Sequence, residues 1–103
     1  MRLNRKRYIS FQLHQDGQAV TLRQLSNAIW KSMLSLFGEV TVAEARFYLN
    51  EYDEAEGVGY FQCNSSQLDN VIAAVVLLDS IEDTKVCFRP IKTSGTIKAL
   101  HRS

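Results

Sequence analysis

The chain has 103 residues, 46% of them apolar and 22% charged, with a formal net charge of +1. That length bounds it to one domain, residues 1–103, and the apolar fraction is enough for one real core. No run of about eighteen apolar residues occurs, which excludes a membrane-spanning helix, and no apolar segment follows the basic N-terminus as a signal peptide would require.

Charge is strongly segregated. Arg2, Arg5, Lys6 and Arg7 stand in residues 1–15 without an acid, and Lys85, Arg89, Lys92, Lys98 and Arg102 stand in residues 84–103 without one. The two ends together carry +9, while residues 16–83 hold all eleven acids against Arg23, Lys31 and Arg46, for −8. A chain built this way presents a polyanion-binding surface while staying nearly neutral overall.

Residues 8–14 alternate strictly, with Ile9, Phe11 and Leu13 on one side and Tyr8, Ser10, Gln12 and His14 on the other. A period of two predicts a half-buried strand, followed by a loop at 15–18. Thr21 and Gln24 have capping-box spacing before a helical pattern. Leu22, Leu25, Ile29, Met33 and Leu36 form its stripe, Trp30, Leu34 and Phe37 widen it, and Gly38 is a natural stop. Thr41 and Glu44 repeat the capping spacing, so 42–45 reads as one extra turn.

Residues 46–52 and 58–63 alternate again around an acidic hairpin turn at 53–57. Ser65 or Ser66 is expected to cap a second helix running to about Leu78, with Val71, Ile72, Val75 and Leu78 toward the sheet. Val76 and Leu77 extend its apolar surface, either into a protein partner or under the loops. The last strand is 85–91, where Pro90 implies an edge or an end to pairing. Residues 94–101 suggest a short terminal helix.

The order β-α-β-β-α-β predicts an α+β, ferredoxin-like or RRM-like sandwich: a four-stranded antiparallel sheet with helices and a short extra C-terminal helix. In that topology the first and last strands are antiparallel neighbours. The basic arm, residues 1–7, and the basic tail, residues 94–103, then meet at one edge.

Such an edge offers phosphate contacts. The candidate RNA-binding residues are Arg2, Arg5, Lys6, Arg7, Arg89, Lys92, Ser94, Gly95, Thr96, Lys98 and Arg102. The Ser94-Gly95-Thr96 turn reads either as an anion cradle or as an ordinary helix cap. Tyr8 and Tyr60 or Phe61 are candidate base-stacking aromatics, with packing the favoured reading. The acidic turn reads as solvated, His14 and His101 are isolated, and no catalytic or metal-binding residue is assigned. Cys63 and Cys87 read as reduced core residues.

Several stretches resemble one family. These are Arg7-Tyr8-Ile9, Leu36-Phe37-Gly38-Glu39, Tyr52, Gly59, Cys63 and residues 94–100, Ser-Gly-Thr-Ile-Lys-Ala-Leu. Together they are similar to the Pop-five family, archaeal ribonuclease P protein component 2, over about residues 7–102.

The resemblance implies a protein subunit of ribonuclease P, an endoribonuclease whose RNA removes the 5′ leader from precursor tRNA. It implies magnesium required by that RNA and no cofactor bound by this chain. The implied partners are the ribonuclease P RNA, precursor tRNA and protein component 3, a TIM-barrel-like subunit, in a two-plus-two assembly. Val76 and Leu77 are the candidate partner-binding residues, and the expected location is the cytoplasm without membrane contact. The other readings are a free-standing RNA-binding module and an acylphosphatase-like hydrolase. The second is disfavoured because the 15–18 loop has no Arg.

Overall fold

A computed structural model describes residues 5–100. Strand β1 (Lys6–Asp16), helix α1 (Leu22–Ala45), β2 (Tyr48–Asp53), β3 (Val58–Asn64), α2 (Leu68–Val76), β4 (Ser80–Ile81), β5 (Thr84–Ser94) and α3 (Ile97–Leu100) follow in order. The sheet is antiparallel in the order β2-β3-β1-β5-β4, so it has five strands rather than the expected four. The addition is β4, two residues that pair Ser80 with Lys85 and Ile81 with Thr84. It forms because Glu82 and Asp83 both take positive φ and turn the chain straight back onto itself. A segment that short leaves no period-two signal.

Helix α1 begins as the capping box predicts. Thr21 Oγ1 accepts from Gln24 N–H at 3.1 Å, and Gln24 Oε1 accepts from Thr21 N–H at 3.0 Å. Glu54 in the acidic turn adds a third link, accepting from Leu22 N–H at 2.8 Å. That turn is therefore more than solvated: one carboxylate satisfies an orphan donor at the positive end of α1. Gly38, at φ 86° and ψ 174°, breaks the helical path, and 39–45 continue as a second helical piece.

The core-facing stripe is narrower than expected. Leu25, Ile29 and Met33 are buried, Leu34 and Phe37 pack partly against the core, and Leu22, Trp30 and Leu36 stand exposed. Helix α2 also differs. Asn64 accepts from Ser66 N–H at 3.2 Å and opens a 3-10 turn at Ser65–Gln67, so neither serine is the cap and α2 proper starts at Leu68. It ends at Val76, two residues before Leu78.

Both helices cover one face of the sheet. Ile9, Phe11, Leu13, Phe61, Phe88, Val71 and Val75 fill the layer between. The ring of Phe11 stacks on Phe88 with centroids 4.5 Å apart. Cys63 is buried there, as expected, but Cys87 is exposed, because its place opposite His14 puts it on the other face.

Strand β5 runs past Pro90 to Ser94. A register shift opposite Ser10 and Phe11 absorbs the missing N–H, so pairing with β1 resumes beyond the proline instead of ending there. Val86 N–H still donates to Asp79 O at 3.0 Å, and beyond it, among the described residues, the strand has no ladder partner on its β4 side, which makes that flank an edge.

Candidate nucleic-acid interface

Register decides which residues meet. Tyr8 pairs with Ser94, Ile9 with Thr93 and Ser10 with Lys92, so the start of β1 lies beside the end of β5. Arg7 Nη1 lies 3.5 Å from the position a β-carbon on Gly95 would take, and it also donates to Lys6 O at 3.3 Å. Arg5 and Lys6 are exposed beside it. Among the described residues, no carboxylate is ion-paired with Arg5, Lys6, Arg7 or Arg89. Arg2 and Arg102, with His101, lie outside the described residues.

The remaining cations do not gather at this corner. On β5, Lys85 pairs with Asp16 and Arg89 with Gln12, toward the opposite end of β1. Lys85, Arg89 and Lys92 thus form a line along the face turned away from α1 and α2. The expected single basic edge is a corner plus a stripe.

Lys92 has a structural task as well. Its Nζ donates to Ala99 O at 2.9 Å, tying α3 to the sheet. α3 packs on β5 and β1, and Leu100 is buried although it stands outside the main core. The terminal helix therefore lies over the sheet face that the long helices leave bare. Tyr60 is buried on that same face, one register row from Tyr8. Its hydroxyl is pushed above the ordinary tyrosine range by burial, and further by the Glu51 carboxylate to which it is hydrogen-bonded. Phe61 belongs to the core. Packing is thus the role of Tyr60 and Phe61, as their sequence favoured, and Tyr8 is left half-buried.

The Ser94-Gly95-Thr96 turn has the geometry of a cap. Ser94 Oγ accepts from Thr96 N–H at 3.2 Å, and Thr96 Oγ1 accepts from Ala99 N–H at 3.1 Å. Lys98 is exposed on the single turn that follows. The cap serves to start α3, and the close pass of Arg7 over Gly95 is what adds charge to it.

Two residues that the sequence pattern does not single out lie at the same end of the sheet, two strands from β1. Arg46, in left-handed conformation at φ 49°, ends α1 immediately before β2. Tyr48, the first residue of β2, is 61% exposed. Arg46 sits in the acidic middle of the sequence, where the segregation of charge hides it. Tyr48 sits in an alternating run that reads only as strand.

Val76 and Leu77 are 47% and 63% exposed, so the wide apolar face of α2 is not covered by loops. A groove of about 540 Å³ runs beside them, lined among others by Asn27, Lys31, Leu36, Leu77 and Ile81. Among the described residues there is no cluster of metal ligands and no helix long and apolar enough to cross a membrane.

Comparison with known proteins places this geometry in a family. The Rpp14/Pop5 family model matches residues 7–103, and the chain belongs to that family. It is 31% identical to ribonuclease P protein component 2 of Pyrococcus furiosus over 99 residues, covering 96% of this chain and 82% of that one. Identity to the protein of the same name from Archaeoglobus fulgidus is 34%, with 96% and 87% coverage. A chain in the cryo-EM structure of yeast ribonuclease MRP superposes with a TM-score of 0.72 at 10% identity, covering 93% of this chain and 78% of that chain. At that identity the match speaks for the fold.

Proposed function

We propose that this chain is a non-catalytic protein subunit of ribonuclease P. It assists the RNA that removes the 5′ leader from precursor tRNA. The observation that carries the reading is the meeting of Arg7 with Gly95 inside a fold of this family. It joins two basic termini into one phosphate-facing corner.

The role follows from electrostatics. RNA helices that approach one another crowd their phosphates, and either magnesium or protein cations must offset that repulsion. Arg5, Lys6 and Arg7 at the corner, with Arg89 and Lys98 beyond it, supply fixed positive charge and release condensed counterions. The magnesium requirement of the RNA falls, and the chemistry stays with the RNA and its own metal ions. Ser94, Gly95 and Thr96 let the backbone come close beneath Arg7, and Lys92 holds the tail helix in place.

A second protein subunit, ribonuclease P protein component 3, docks on the exposed Val76 and Leu77 and the neighbouring α1–α2 groove. A pair of such units makes the two-plus-two assembly, in the cytoplasm. Exposed aliphatic side chains beside a groove of this size fit a protein surface better than RNA, because no cation other than Arg23 and Lys31 lines it.

The direct test is reconstitution. Precursor-tRNA cleavage is measured with the RNA subunit and component 3, with and without this chain, at low magnesium. A clear gain in rate is expected. The same rate in both reactions rejects the reading.

A further inference from the structure

On the sheet face away from α1 and α2, one register row crosses three strands. Tyr48 on β2 pairs with Gln62 on β3, and Gln62 pairs with Tyr8 on β1. Strands lie about 4.8 Å apart, so the two tyrosines stand roughly 10 Å from each other with Gln62 between them. Tyr48 is exposed and Tyr8 is half-buried. α3 packs on β5 and on β1, the strand that carries Tyr8, and leaves β2 with Tyr48 uncovered.

Gln62 is held in one orientation. Its Oε1 accepts from Asn50 Nδ2 at 2.9 Å, which leaves its own amide N–H groups to donate elsewhere. Asn50 Oδ1 beside it is buried and accepts no hydrogen bond among the described residues. The register shift between Leu49 and Glu51 inserts Asn50 here as an extra residue. The bulge therefore fixes the Gln62 amide on this face from below, with Asn50 Oδ1 closed off beneath it. The half-buried Gln62 amide nitrogen is a donor that an acceptor on a nucleobase edge can meet.

The row is bordered by cations. Lys6 lies two residues before Tyr8 on the same face, and Arg46 lies two residues before Tyr48. Both are exposed, at the end of the sheet that Arg7 and Gly95 occupy. Tyrosines about 10 Å apart, an amide between them and cations along one rim suit bases that are free to turn inward. Paired bases in a duplex cannot do so.

We propose that the row Tyr48–Gln62–Tyr8 binds two unpaired nucleotides of RNA. One base stacks on each tyrosine, the Gln62 amide N–H bonds a base edge, and the phosphates lie toward Lys6 and Arg46. This rests on the reading that the chain binds RNA, and it adds a single-strand site to a surface otherwise suited to phosphates and helix shape.

The test uses the full chain and two fluorescein-labelled probes, a single-stranded hexaadenylate and a short RNA duplex, followed by anisotropy. Tyr48→Ala is expected to weaken hexaadenylate binding about tenfold. Its salt dependence should be unchanged, and so should its binding to the duplex. Tyr48→Phe keeps most of the affinity because the ring is retained, and Gln62→Leu lowers it without removing a ring. Hexaadenylate affinity that survives both Tyr48→Ala and Gln62→Leu overturns the proposal. Wild-type protein that binds the duplex but not hexaadenylate also overturns it while leaving the phosphate-binding corner intact. Failure to bind either probe overturns both.

Discussion

The Arg7 guanidinium lies against Gly95, its Nη1 3.5 Å from where a β-carbon would stand. The two residues come from opposite ends of the chain. They meet because β1 and β5 are antiparallel, with Tyr8 opposite Ser94. A side chain at Gly95 would reach Arg7 before anything else within 4 Å, and Arg7 can swing aside.

Gly95→Glu exploits that proximity. The new carboxylate would pair with Arg7 and withdraw it from phosphate. RNA affinity should fall several-fold, and the slope of log affinity against log salt should flatten by about 0.9 for each phosphate that is no longer neutralised. The urea midpoint should hold or rise slightly, since an exposed ion pair is worth about 0–1 kcal/mol. Unaltered affinity and slope, measured by titration at several salt concentrations, would remove Arg7 from the RNA surface.

Leu77→Asp probes the other face. Leu77 is 63% exposed, so the isolated chain should keep its stability to within about 0.5 kcal/mol. The proposed binding to component 3 should weaken by at least tenfold, about 1.4 kcal/mol or more. Calorimetric titration of the two proteins reads this directly. Undiminished binding would move the partner surface elsewhere.

Gly59→Ala should destabilise the fold from within the sheet. Gly59 pairs with Phe11 on one side and Tyr52 on the other. An added β-carbon would strike the Glu51 carbonyl oxygen, which is backbone and cannot rotate away. Strand β2 would have to shift, at a cost of about 1–3 kcal/mol. The urea midpoint should drop with little change in its slope.

Alkaline pH should weaken the protein in a defined window. Burial pushes the Cys63 thiol from 9.0 up to about 11. The folded state therefore holds its proton at pH values where the unfolded chain releases it. The stabilisation is fully present below pH 9.0 and is lost as pH rises toward about 11. Tyr52 and Tyr60 are raised too, by burial first and then by the Glu54 and Glu51 carboxylates respectively, so they add to the loss above pH 10.0. Urea midpoints from about pH 8 to about pH 11 check this. In native protein near pH 8, iodoacetamide should label the exposed Cys87 and spare Cys63.

Much of the fold was legible because local rules suffice for it. Ile9, Phe11 and Leu13 read as one buried side of a strand, and all three are buried. Thr21 and Gln24 read as a capping box and form one. Gly38 read as a stop, and its left-handed backbone breaks the helix there. The errors fall where a longer-range partner intervenes. Asn64 outcompeted the two serines as a cap, and β4 exists only because a turn of Glu82 and Asp83 brings Ser80 beside Lys85. Leu22 and Leu36 fit the helical period but stand exposed.

The candidate site divides along the same line. Residue types alone say where charge is available: basic ends without acids, an acidic middle, and the cap residues Ser94 and Thr96. Those follow from residue type and near spacing. Which charges share a surface depends on how the strands pair. Strand pairing carried Arg7 to Gly95 and set Arg46 and Tyr48 at the same end of the sheet, two strands from β1, although they lie in the acidic stretch; folding back of the tail engaged Lys92 with α3. The physical reason is that charge is a property of the residue, whereas proximity is a property of register. Register was fixed by burying Ile9, Phe11, Leu13, Phe61 and Phe88 on one face, and the opposite face inherited its neighbours from that choice.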